Sequence, residues 1–175
     1  MNYYDFFGLP IALHLDTKAL RARYIANSRQ YHPDFYTLQD DVAQQKALDN
    51  STLNNEAYNT LRKPDSRLRY FLQLHDALPE EGQAKLPQDF LMEMMEVNEA
   101  LMELQMDYDT ATHERLSREL QQRERELYDR VRHLMERTAD TTYSTQELEL
   151  LTDYYLKRRY LLRLQNNIAK VREID

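Results

Sequence analysis

The chain has no cysteine and no tryptophan, and only two glycines and five prolines among 175 residues. Without cysteine there are no disulfides, no thiolate metal sites and no cysteine nucleophiles. The shortage of glycine, together with the lack of Asn-Gly or Asp-Gly pairs and of alternating Val/Ile/Thr runs, leaves no hairpin signal. No apolar run approaches the roughly 20 residues needed to span a bilayer. The opening Met-Asn-Tyr-Tyr-Asp is neither basic nor followed by a signal-peptide core. A cytoplasmic protein without a membrane partner is therefore expected. A Gly-rich phosphate loop, a nucleophile elbow and a base–nucleophile pair are all missing as well. His14, His75, His113 and His133 have no metal-ligand spacing with one another. These absences predict a protein that is not an enzyme and carries no metal or cofactor.

What remains is abundant Leu, Glu, Gln and Arg, with 30% charged residues, the composition of an all-α protein built from amphipathic helices. The net charge of -7 is unevenly placed. Residues 1–75 carry 9 Lys and Arg against 8 Asp and Glu, and residues 76–175 carry 14 against 22. Overall acidity argues against nucleic acid as a partner. Between Asp16 and Tyr31, however, Lys18, Arg21, Arg23 and Arg29 face only one acid, Asp16. Such a basic helix suits an acidic protein surface, although a solvated face is the plainer reading.

Asp16 is a good N-cap for that helix, in which Leu20, Tyr24, Ser28 and Tyr31 form one stripe. Pro33 lacks an amide proton and clashes with the preceding turn, so the helix cannot pass through it. His32, as the residue before a proline, is pushed to extended backbone. Asp34 favours a turn through its side chain. The outcome is a stiff corner that presents an imidazole and a carboxylate. A further helix opens at Asp40 or Asp41 with Leu53, Ala57, Tyr58 and Leu61 at helical spacing, and Pro64 suits the first turn of the next. Asp76–Pro87, with Pro79, Gly82 and Pro87, reads as a linker. Three helical segments follow, about Gln88–Gln105, Thr110–Thr138 and Ser144–Arg172, and predict a three-helix bundle. Pairs such as Glu114/Arg118 and Glu119/Arg123 support an exposed face on the middle one.

The first of these segments carries more apolar residues than one core needs. Phe90, Met94, Val97, Leu101 and Leu104 form one stripe, while Leu91, Met95 and Met102, with Met92 beside them, form a second. Glu96, Glu99 and Glu103 flank the second. Methionine adapts to irregular surfaces, and an apolar patch with a charged rim suits a partner, though a wider core contact is the alternative.

Residues 1–75 resemble a J-domain. The resemblance rests on His32-Pro33-Asp34 after a basic helix, and on Asn55-Glu56-Ala57-Tyr58 with Leu61, Pro64, Arg67 and Tyr70. Tyr3-Tyr4-Asp5-Phe6-Phe7-Gly8-Leu9-Pro10, the extension Phe71-Leu72-Gln73-Leu74-His75 and Phe90-Leu91-Met92-Glu93 look like the HscB type, whose members are J-domain co-chaperones of iron–sulfur cluster assembly. Phe35 departs from the pattern, since many J-domains place a basic residue after the aspartate. The resemblance implies an N-terminal J-domain helical hairpin (1–75), a linker (76–87) and a C-terminal three-helix bundle (88–175). It implies that His32, Pro33 and Asp34, with Arg21, Arg23 and Arg29, engage a DnaK/HscA-type chaperone ATPase and stimulate it. It further implies that Leu91, Met92, Met95, Glu96, Glu99, Glu103 and Tyr160 bind an IscU-type iron–sulfur cluster scaffold protein. With no thiolate, the chain would handle the scaffold rather than the cluster. A J-domain co-chaperone for another client, using the bundle for dimerisation or client binding, is the alternative.

Overall fold

A computed structural model of the chain describes residues 1–80, 83–137 and 142–171. All regular structure among them is helical: α1 Tyr3–Phe7, α2 Thr17–Gln30, a 3-10 turn at Pro33–Tyr36, α3 Asp41–Arg62, α4 Pro64–Leu74, α5 Gln88–Met106, α6 Thr110–Met135 and α7 Thr145–Val171. The all-α expectation holds. The expected helix ends at Thr138 and Arg172, and Gly82 of the linker, lie outside the described residues.

Helix starts follow from capping chemistry. Asn2 and Asp5 exchange side-chain-to-amide bonds across the first turn of α1. Asp16 accepts the amides of Lys18 and Ala19 at 2.9 and 3.1 Å, and Asp40 accepts that of Ala43 at 2.8 Å. Asp109 accepts the Thr112 amide at 2.8 Å before α6. Hydrogen bonds from the Thr112 side chain and amide, with that of Ala111, hold the Asp109 carboxyl below its usual value.

The chain divides into two compact units, whose described parts are 1–74 with 135–137 and 142, and 75–80, 83–134 and 143–171. In the first, α2 packs along α3, and α1 and α4 pack against α3. Tyr4, Phe7, Leu15, Leu20, Ala57 and Leu61 form its core. Tyr24 stacks on Tyr58 at 4.1 Å and Tyr3 on Tyr70 at 4.4 Å. Burial pushes the Tyr3 phenol up, and Glu56 and Tyr70 add to the effect. Asn54, buried in α3, donates to the Tyr24 carbonyl at 3.2 Å and to Ser28 Oγ at 3.0 Å, which ties α3 to α2. Arg67 is buried as well. Its Nε donates to the Leu13 carbonyl at 2.9 Å and its Nη1 to that of Leu61 at 2.7 Å, in the last turn of α3, where no intrahelical donor is left. Burial lowers the Arg67 pKa.

In the second unit α5, α6 and α7 share one core of Phe90, Met94, Val97, Leu101, Leu104, Leu116, Leu120, Leu161, Leu164, Ile168 and Val171. Cross-links set the directions. Arg123 pairs with Glu93, His113 Nε2 lies 3.3 Å from the Ile168 carbonyl, and Arg158 and Gln165 both donate to Glu124. Neighbours in sequence therefore run antiparallel. Burial alone would lower the Arg123 pKa, but its bonds to Glu119 and Glu93 outweigh that and raise it. The stretch expected to be a linker is fastened to this unit where it is described. The Ala77 carbonyl accepts the Thr152 hydroxyl at 3.1 Å, and Leu86 packs on the core.

Candidate functional site

The corner around His32 is a 3-10 turn with Pro33 in its first position, where a missing amide costs nothing. On sequence grounds the Asp34 side chain is expected to favour the turn by bonding nearby backbone amides. The structure reverses this: His32 Nδ1 accepts the Asp34 amide at 3.4 Å. Asp34 stands at the second position of the turn, where its own amide is the unpaired donor. The same Nδ1 lies 3.5 Å from Asp34 Oδ2. It accepts the amide as the bare nitrogen of a neutral ring, and bonds the carboxylate only when protonated. The turn is closed locally: the Phe35 amide reaches the His32 carbonyl at 3.0 Å, the Tyr36 hydroxyl the Gln30 carbonyl at 3.0 Å, and the Thr37 hydroxyl the Asp34 carbonyl at 3.3 Å. Both side chains stay outside, with 54% of His32 and 82% of Asp34 exposed, while the local bonds hold their positions.

The three arginines do not share one face. At about 100° per residue, Lys18, Arg21, Ile25 and Arg29 share one exposed face of α2 that leads to His32. Arg23 points elsewhere. Its Nη1 donates to the carbonyls of Phe7 and of Gly8, the latter at 2.6 Å, and so caps the end of α1. Gly8 has φ +58°, and a Cβ there would come within 2.7 Å of Arg23 Nη1. Glycine takes the left-handed backbone without strain and leaves the Arg23 guanidinium where it is. Arg29 lines a shallow hollow of about 370 Å³ with Ile25, Ser28, His32, Asp34 and Phe35.

On α5 the two apolar stripes separate cleanly. Phe90, Met94, Val97, Leu101 and Leu104 are buried, while Leu91, Met92, Met95 and Met102 are exposed, as are Glu96, Glu99 and Glu103. A second hollow, of about 460 Å³, is lined by Gln88, Leu91, Met92, Met95, Asn98, Glu99, Met102 and Tyr160. Tyr160 of α7 closes one side of it. The Tyr160 ring meets Phe90 edge-on at 5.7 Å, its hydroxyl accepts Asn98 Nδ2 at 3.0 Å, and the Arg163 guanidinium lies 4.5 Å over its face. Glu96 and Glu103 lie outside the hollow, on the side of α5 that also carries Met92. Sequence reasoning missed Asn98 and Gln88. Asn98 is polar at the border of the second stripe, and nothing local to α5 shows that its partner is a tyrosine 62 residues away.

Among the described residues, no cluster of three His, Asp or Glu is able to hold a metal, and no helix is long and apolar enough to cross a membrane. A helical unit with an exposed His-Pro-Asp corner, followed by a bundle with an exposed apolar face, is the arrangement a J-domain co-chaperone with a C-terminal helical domain requires. Residues 86–169 match the family model described as the HSCB C-terminal oligomerisation domain. The fold is similar to that of the chaperone HscB from Vibrio cholerae, with 25% identity and a TM-score of 0.74 over 99% of this chain and 98% of that one. It is also similar to the human co-chaperone protein HscB, with 28% identity and a TM-score of 0.77 over 99% of this chain and 83% of that one. The family match over the second unit and the two structural likenesses together support an HscB-type co-chaperone of iron–sulfur cluster assembly.

Proposed function

We propose that the first unit docks a DnaK/HscA-type chaperone ATPase through His32, Pro33 and Asp34, steered by Arg21 and Arg29, and stimulates its ATP hydrolysis. Leu91, Met92 and Met95, with Tyr160 as a wall and Glu96, Glu99 and Glu103 as an acidic fringe, bind an IscU-type scaffold. Holding both partners on one chain raises the effective concentration of the scaffold at the chaperone. Stimulation requires contacts that favour the hydrolysis-competent state of the ATPase over the other, and the fixed His32–Asp34 pair is suited to supply them. Arg23, occupied with the end of α1, serves the shape of this unit rather than the encounter.

The observation that carries this reading is that the apolar residues assigned to the scaffold are exposed although the bundle fills its core without them. ATP hydrolysis by the chaperone, measured with and without the scaffold, tests both halves. His32→Gln is expected to abolish stimulation while the protein stays folded. Met95→Asp is expected to keep the scaffold-free stimulation and to lose the scaffold-dependent increment. Full stimulation by His32→Gln, or an intact increment in a Leu91→Asp/Met95→Asp double variant, would remove the corresponding half.

A second reading is favoured by the matched family description, which names an oligomerisation domain. The same exposed stripe would then join two copies or hold a different client. Light scattering on the free chain separates the two, since a monomer at micromolar concentration leaves the face available to the scaffold.

A further inference from the structure

Phe35 is the residue that least fits a purely polar docking corner. It is 70% exposed, and its ring meets the His32 imidazole edge-on at 5.9 Å. Ile25 is 39% exposed and sits between Arg21 and Arg29 on the same face of α2. Neither belongs to the core of the first unit. Both line the hollow beside His32, with Arg29 and Asp34 on its rim.

We infer that Phe35 and Ile25 give the chaperone-docking surface an apolar centre, which receives an aliphatic or methionine side chain projecting from an acidic patch of the partner ATPase. The inference rests on the docking reading of the His32 corner. Three features support it. A partner that reaches His32 must cover the Phe35 ring packed against it, and an acidic surface does so without leaving a polar group unpaired only through an apolar side chain. The cations Lys18, Arg21 and Arg29 flank Ile25, so the surface opposite is acidic around an apolar middle. The hollow is also shallow and continuous with the corner, which suits one protruding side chain rather than a helix or an extended strand. In such a contact the arginines govern the rate of encounter, and Phe35 governs how long the complex lasts.

The test uses the full chain and the DnaK/HscA-type chaperone of the same cell, and reads the co-chaperone concentration that half-maximally stimulates single-turnover ATP hydrolysis. Phe35→Ala is expected to raise that concentration about ten-fold while leaving the maximal rate in place, because one side chain of that size accounts for about a factor of ten when buried. Phe35→Lys is expected to raise it at least as far, although added positive charge beside an acidic patch would by itself tighten binding. Phe35→Leu is expected to restore most of it. An unchanged value for Phe35→Ala, or a lower one for Phe35→Lys, overturns the proposal. So does a mass in light scattering that grows with concentration and reverts to the monomer in Phe35→Ala, which would assign the hollow to a second copy of the chain. His32→Gln runs beside them: full stimulation by that variant sinks the docking reading itself, whereas its loss with Phe35→Ala unaffected sinks only the apolar centre. Phe35 is exposed, so the melting temperature of each variant is expected to match that of the parent chain.

Discussion

The His32 corner and the Met95 face are both exposed, but they are built in opposite ways. The corner is assembled by bonds between residues two to six apart in sequence: His32 to Asp34, Thr37 to Asp34, Tyr36 to Gln30. The face exists because α5 offers two apolar stripes and α6 and α7 together cover only one. Its wall, Tyr160, arrives from 62 residues beyond Asn98. A surface made by local turn chemistry, and packed only within its own unit, is expected to survive loosening of the bundle. One made by leaving a stripe uncovered lasts only as long as the bundle does.

The sharpest way to break that comparison is a pair of substitutions at adjacent residues. Met94→Asp puts a charge without a partner at a fully buried position. It is expected to cost about 4 kcal/mol or more and to abolish the melting transition of the bundle. ATPase stimulation by the first unit is expected to persist, and its loss would show that the corner also depends on remote packing. Met95→Asp, one residue along and 58% exposed, is expected to shift stability by only about 0.5 kcal/mol while scaffold binding disappears.

The reciprocal change targets the first unit. Arg67→Ala leaves the Leu13 and Leu61 carbonyls without their buried cationic donor. A loss of about 3 kcal/mol in chemical denaturation is expected. Scaffold binding should be untouched, and a matching loss there would count against separate units. A smaller effect concerns steering. Arg21→Glu with Arg29→Glu is expected to slow chaperone association about ten-fold at low ionic strength. The gap should narrow as salt approaches 1 M, where the Debye length is about 3 Å. A rate indifferent to salt would leave these arginines without a steering role.

The smallest effect is a pH dependence confined to the start of α6. Because the folded-state pKa of Asp109 is lowered, its contribution to stability is present above the unfolded carboxylate value and is lost as pH falls through the folded one. Asp109→Asn is therefore expected to melt slightly below the parent chain at neutral pH, with the difference closing on acidification. A difference that persists in acid would show that the amide caps this helix differently for reasons unrelated to charge.

Much of this was legible in the sequence wherever the governing interaction is short. The stripe from Phe90 to Leu104 was, because burial repeats with the helical period. So were the starts at Asp16 and Asp40. The contact made by Arg23 was not: on composition that residue belongs with Arg21 and Arg29, and only the approach of α1, 15 residues back at Gly8, gives it a carbonyl to cap. Asn54 and Arg67 look like ordinary surface residues and are buried, because each answers backbone carbonyls or a hydroxyl that tertiary packing brings over from a distant part of the first unit. The bond from the Asp34 amide to His32 was not legible for a different reason. Asp is the better turn former in general, but here it occupies the position whose amide needs a partner.

By itself the sequence determined that the chain is helical, where most of its helices begin, and that a proline-locked corner carries His32 and Asp34 outward. Capping, proline sterics and helical periodicity act within a turn or two and need nothing else. Tertiary structure decided which methionines of α5 remain outside, that Tyr160 and Asn98 meet at the edge of that face, and that Arg23 secures α1. Burial and long-range hydrogen bonds depend on neighbouring helices, and no local pattern records where those neighbours come to lie.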